Sequence, residues 1–143
     1  LISKRSVRIT RDLAEQLISA DPTGLESTAS GLVSDTFREM RTNLLHPVVI
    51  VDYLREAYLH PAEEVRITFD MQLRSGLNSV DMFNPYLPTV PPFDHDEIIL
   101  EVKYNQVLPP YIANLLTYAL RDGAFRSAIS KYVYCRRFEF KDF

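Results

Sequence analysis

Glu64–Arg74 reads EVRITFDMQLR, and its pattern decides which way the rest of the chain faces. Val65, Ile67, Phe69, Met71 and Leu73 alternate with Arg66, Thr68, Asp70, Gln72 and Arg74. Successive strand side chains point to opposite faces, so the stretch predicts a strand with one apolar, packed side and one polar, wet side. A solvent-facing antiparallel sheet reads the same way, and alternation alone does not separate it from a binding surface.

Just upstream, Val48–His60 (VVIVDYLREAYLH) reads as a longer strand with Val49, Val51, Tyr53, Arg55 and Ala57 on one face. His60-Pro61 turns the chain, so the two strands pair as an antiparallel hairpin with Arg55 and Arg66 on the same side. Before them, Val33, Phe37, Met40 and Leu44 form one face of a helix over Ser30–Leu45, ended by Pro47. Thr10 is the predicted cap of a short amphipathic helix reaching Ala20, followed by a turn at Asp21-Pro22-Thr23-Gly24. Leu1–Ile9 reads as an edge or terminal strand.

Downstream, Ser75-Gly76 marks a turn, and residues 78–96, with four prolines and no periodicity, are expected to be a mobile loop. Glu97–Tyr104 is a strand with Glu97, Ile99, Glu101 and Lys103 on one face. Pro109-Pro110 opens a helix whose stripe of Ile112, Leu115, Leu116 and Ala119 ends near Gly123. The tail from Arg126 fits strand or helix. The expected class is α+β: an antiparallel sheet with flanking amphipathic helices in a single domain.

With 143 residues, 46% hydrophobic, the chain can bury an ordinary core. A formal charge of −3 argues against nucleic acid bound through a basic surface, so any anion site must be local. A lone cysteine, Cys135, excludes an internal disulfide and suits a reducing compartment. No apolar run approaches the ~20 residues that cross a bilayer, so a cytoplasmic location is expected. The start at Leu1 rather than Met suggests a piece of something longer.

The strands place Arg55, Arg66, Thr68, Asp70, Glu101 and Lys103 on polar faces, most economically on one common surface. Carboxylates hold hard divalent cations while Arg and Lys bind phosphate oxygens, so a cavity containing both suits a metal-bound polyphosphate or nucleoside triphosphate. Catalysis there is chiefly positioning and charge neutralisation. The competing reading is a set of surface ion pairs worth about 0–1 kcal/mol each. Nucleotide-loop, nucleophile-elbow and zincin motifs are missing. Asp94-His95-Asp96-Glu97 is better read as solvated than as metal-binding, and His46 and His60 have no assigned role. On a strand Ser130 and Lys131 would point apart, which leaves Lys131 as a charge and Ser130 as a hydrogen bonder.

VDYLREAYL (51–59), EVRITFD (64–70), ILEVKYNQVLPPYI (99–112) and SKYVYCRR (130–137) resemble, in order and spacing, the second half of a VTC domain. That family belongs to the triphosphate tunnel metalloenzymes, so the resemblance implies an antiparallel tunnel lined with cations and metal-binding carboxylates. It implies a polyphosphate polymerase that moves the terminal phosphoryl group of a nucleoside triphosphate onto polyphosphate with Mn2+ or Mg2+. By motif, Arg55 and Arg66 would grip phosphates with Tyr53 beside Arg55, Glu101 would hold the metal, and Lys103 on the same strand face would lie near the phosphates. Lys131, helped by Ser130, would neutralise the transferring group, and Lys4 would be a further phosphate ligand. The chain reads as the C-terminal portion, about half of a barrel that needs about eight strands. It is therefore expected to be inactive without its N-terminal half or another copy. Two alternatives stand beside the polymerase: a non-catalytic polyphosphate- or triphosphate-binding module, and a triphosphate hydrolase on the same architecture.

Overall fold

The computed structural model describes residues 4–20, 31–60, 65–93 and 96–139. The turn expected at residues 21–24, Pro61 of the hairpin turn and the Asp94-His95 pair lie outside the described residues. Contacts divide the chain into two compact units, Leu1–Val48 with Ser79–Pro85, and Val49–Asn78 with Tyr86–Phe143.

The first unit holds helices α1 (Arg11–Ile18) and α2 (Leu32–Asn43). Thr10 caps α1 as expected, its hydroxyl accepting the Leu13 N–H at 3.3 Å. Val33 and Phe37 are buried from α2, but Leu44 leaves the predicted stripe. The helix ends at Asn43, and Leu44 takes a left-handed cap conformation with φ 53° and stays exposed. Asp35 binds Arg5 at 2.7 Å and Arg38 at 2.8 Å, and Arg11 lies 4.7 Å from the Phe83 ring centre. Residues 4–10 form no strand, contrary to expectation, and Val7 and Ile9 remain exposed.

The second unit is built on one antiparallel sheet of β1 (Val51–His60), β2 (Val65–Ser75) and β3 (Ile99–Lys103), in that order. Helices α3 (Pro110–Arg121) and α4 (Lys131–Glu139) belong to it. The described sheet has three strands and is not closed. Arg55 lies directly opposite Asp70, Thr68 opposite both Ala57 and Glu101, and Arg66 opposite Lys103. This register puts Arg55, Arg66, Thr68, Asp70, Glu101 and Lys103 on one face, the common surface that the alternation suggested.

That face is wet only in part. Arg55, Arg66 and Lys103 are exposed, but Thr68 and Asp70 are 1% and 2% exposed, with Lys131 of α4 on Asp70, while on the apolar face Val65 is buried, Ile67, Phe69 and Met71 are half-buried and Leu54 and Tyr58 are exposed. The tail that fitted strand or helix is a helix whose inward residues are Lys131, Cys135 and Glu139, one turn apart. A β-bulge completes the fit. Asp52 pairs with Arg74 and Leu54 with Met71, so Gln72 and Leu73 together oppose Tyr53, and Gln72 adopts φ 52°. Beyond it the parity of β2 reverses, and Leu73 and Ser75 join Thr68 and Asp70 on the side of α4. Leu73, Ile99 and Cys135 form the core there, with Val49, Val51, Tyr53, Phe93 and Tyr134 packed around them.

The proline-rich segment is tied to the end of β2. Ser75 and Val90 exchange backbone hydrogen bonds of 2.7 and 2.9 Å, and the Arg74 guanidinium donates to the hydroxyl and carbonyl of Thr89.

Candidate functional site

Asp70 is the centre of the arrangement on the α4 side of the sheet. Because Arg55 sits directly across the strand pair, its guanidinium reaches the carboxylate edge-on, Nε to Oδ1 at 2.5 Å and Nη2 to Oδ2 at 2.7 Å. Lys131 Nζ comes from α4 to the same Oδ2 at 2.6 Å. Both cations lie 5.1 Å from the centre of the Tyr53 ring, so the aromatic face stabilises each of them.

Lys131 is the first residue of its helix, where a cation is disfavoured by the positive end of the helix dipole. Asp70 offsets that cost. Ser130, a hydrogen bonder as its hydroxyl allows, caps the helix: its carbonyl accepts the Tyr134 N–H at 3.0 Å and its hydroxyl the Val133 N–H at 3.4 Å.

Hydrogen bonding from Arg55, joined by that from Lys131, outweighs burial and holds the Asp70 carboxyl at about 2, below the usual range. The same bond raises the Arg55 pKa further above its ordinary value, with the charges of Asp70, Tyr53 and Glu101 adding to it. Arg55 nevertheless keeps 35% of its side chain exposed and Lys131 21%.

Around this core, Glu101 binds Lys103 at 2.9 Å, both partly exposed. Arg66, exposed, has no ion-pair partner among the described residues and faces Lys103 across the strand pair. Thr68 Oγ1 is buried without a hydrogen-bond partner. Lys4 is an exposed residue of the first unit. Glu101 and Lys131 line one groove of about 720 Å³, walled by Ile99, Leu116, Leu120 and Phe125. With Glu97 and Arg126, which also line the groove, five cations stand against three carboxylates here, in a chain whose formal charge is −3. The local field is therefore positive, which suits an anion. Among the described residues no three His, Cys, Asp or Glu side chains stand together as a metal cage. A Mg2+-like ion needs none, since it is commonly held by one or two carboxylates plus substrate phosphates, and Glu101 fits that limited role.

Two functional features escaped the sequence reading. Asp70 carries no more than a place on the polar face in the sequence, yet it binds Arg55 through the hairpin register and Lys131 through the packing of α4. Glu139, from the ambiguous tail, is buried at the far end of α4, accepting from Ser75 Oγ at 2.7 Å, the Asn78 N–H at 3.0 Å and Arg136 at 2.8 Å. Burial would raise its pKa, but those three donors together lower it. No sequence motif marks that residue.

Among the described residues no helix is long and apolar enough to cross a membrane. A family model described as VTC domain matches residues 1–140, which extends the likeness well N-terminal of Leu44. No curated protein and no solved structure matches the chain.

Proposed function

The chain belongs to the VTC domain family, with its polyphosphate-related role, and from that premise we propose that it takes part in metal-dependent phosphoryl transfer from a nucleoside triphosphate to polyphosphate. The observation that carries the proposal is the meeting of Arg55 and Lys131 at one buried carboxylate, beside a groove that Lys131 shares with Glu101. Each cation spends only part of its hydrogen-bonding capacity on Asp70, and the remaining guanidinium and ammonium protons are available to phosphate oxygens.

In the proposed reaction a terminal oxygen of the acceptor chain attacks the terminal phosphorus of the nucleotide. The bond from that phosphorus to its bridging oxygen breaks, and the diphosphate leaves with the electron pair. Arg55 and Lys131 hold the transferring group and offset the charge that moves to the leaving oxygen. Arg66 and Lys103, side by side and exposed, extend the cationic surface along the chain. Glu101 is the residue that would hold Mn2+ or Mg2+, which would supply charge neutralisation at the phosphates. On this reading the sheet forms part of a tunnel wall that further strands, from the same protein or another copy, complete.

A second reading is favoured by one contact: Glu101 is already paired with Lys103 at 2.9 Å, which suits a module that binds polyphosphate without chemistry. Incubation with ATP, Mn2+ and short polyphosphate, with products resolved by chain length, separates the two. Polymer growth abolished by Glu101→Ala and by Lys131→Ala supports transfer. Binding without turnover supports the module, and release of orthophosphate or pyrophosphate alone would make the protein a hydrolase.

A further inference from the structure

We propose that Asp70 is a positioning residue that locks Arg55 and Lys131 into a single two-cation clamp, spaced to grip neighbouring phosphate oxygens. This rests on the phosphate-binding reading of the site. Arg55 Nη2 and Lys131 Nζ both meet Oδ2 of Asp70, at 2.7 and 2.6 Å. Two donors converging on one oxygen are within about 5 Å of each other, close enough to grip neighbouring oxygens of one phosphoryl group or of two that share a bridging oxygen. Without a shared anion, two like charges on the same aromatic ring would separate into solvent, since both side chains have exposed surface to move into.

Asp70 itself is unsuited to touch substrate. Its side chain is 1% exposed, its carboxylate would repel phosphate, and both its oxygens are occupied. It works through the two cations. A bidentate bond fixes the plane of the guanidinium, and the lysine, anchored at the first turn of α4, is held at one end of a helix whose other end is fixed by Glu139.

The proposal makes a prediction of opposite sign to simple electrostatics. Removing a carboxylate from a phosphate site raises the local positive charge, so if Asp70 merely neutralised its neighbours, Asp70→Asn would bind phosphate more tightly. If Asp70 positions them, Asp70→Asn binds more weakly despite the added charge. The test is calorimetric titration of inorganic tripolyphosphate into wild type, Asp70→Asn, Asp70→Glu, Arg55→Gln, Lys131→Gln and the Arg55→Gln/Lys131→Gln double variant, each checked for native near-ultraviolet circular dichroism.

Loss of one charge-assisted contact corresponds to roughly tenfold or more in affinity, so each single cation variant is expected to weaken binding by at least about tenfold. The double variant should lose much less than the product of the two, because the cations act as a unit. Asp70→Asn is expected to lose about tenfold, and Asp70→Glu, with its longer reach, to recover only part. Binding that requires Arg55 and Lys131 but is unchanged or tighter in Asp70→Asn overturns the positioning role and leaves the phosphate reading intact. Strictly additive losses at Arg55 and Lys131 overturn it even if the Asp70 variants do not fold. Absence of tripolyphosphate binding by wild type overturns the phosphate reading itself, and this proposal with it.

Discussion

Replacing Asp70 by Asn should cost the protein about 2–3 kcal/mol at neutral pH, and the cost should fade in acid. The substitution keeps the shape of the side chain and one acceptor oxygen but removes the charge shared by Arg55 and Lys131. The folded carboxyl titrates at about 2 against an ordinary 3.8, and at about 1.4 kcal/mol per pH unit the difference gives the figure. The magnitude is at the low side for a broken buried ion pair, which is consistent with two cations that keep 35% and 21% of their side chains in solvent. The folded pKa is depressed, so the stabilisation is complete above the unfolded value and is lost as pH falls from about 4 to about 2. With an unfolding entropy near 2.1 cal/mol/K per residue over 143 residues, the offset in melting temperature at pH 7 is about 8 °C. Thermal melts of wild type and Asp70→Asn from pH 7 to pH 2 would read it, with the difference between them isolating this one carboxyl from every other. A gap that persists unchanged at pH 2, or no gap at pH 7, would refute the assignment of Asp70 as the charged anchor of both cations.

Glu139→Gln leaves donors at Ser75, Asn78 and Arg136 facing a neutral amide, and urea unfolding should show a loss of about 1–3 kcal/mol. A loss under about 0.5 kcal/mol would mean that the far end of α4 is not held by this carboxylate. Gln72→Gly should leave the melting temperature unchanged or raise it, whereas Gln72→Val, β-branched at φ 52°, should destabilise by about 1 kcal/mol or more. Thr10→Ala removes the acceptor for the Leu13 N–H and should cost α1 about 1 kcal/mol, seen as faster amide exchange in its first turn.

Strand existence and face membership were legible because alternation is a local signal. Arg55, Arg66, Glu101 and Lys103 could be put on one face from parity alone. Depth was not legible. Parity says which residues share a side, not what covers that side, and the cover is a helix whose inward residues are Lys131, Cys135 and Glu139. A test for apolar periodicity passes over such a helix, since its anchoring residues are polar and are buried by partners on another element. The burial of Asp70 was likewise invisible, because it depends on Arg55 and Lys131 arriving from strand and helix at once. The left-handed Leu44 ended α2 ahead of Pro47, and no composition cue announces a leucine in that conformation.

The bulge at Gln72 has a consequence for which changes of chain length the protein can tolerate. Helix α4 is moored to β2 at Asp70 and at Ser75, an odd number of residues apart, which in an unbroken strand would point to opposite sides of the sheet. The extra residue absorbs the odd step. It also trims the strand path to about 13 Å, close to the ~12 Å that the helix climbs between Lys131 and Glu139. Deleting the extra residue would leave an even step of four over the same ~13 Å, so a regular strand would keep both moorings on the α4 side, whereas an insertion would turn Ser75 away or stretch the path beyond the length of the helix. The spacing from Asp70 to Ser75, more than the identity of the intervening residues, is what keeps Lys131 at its post.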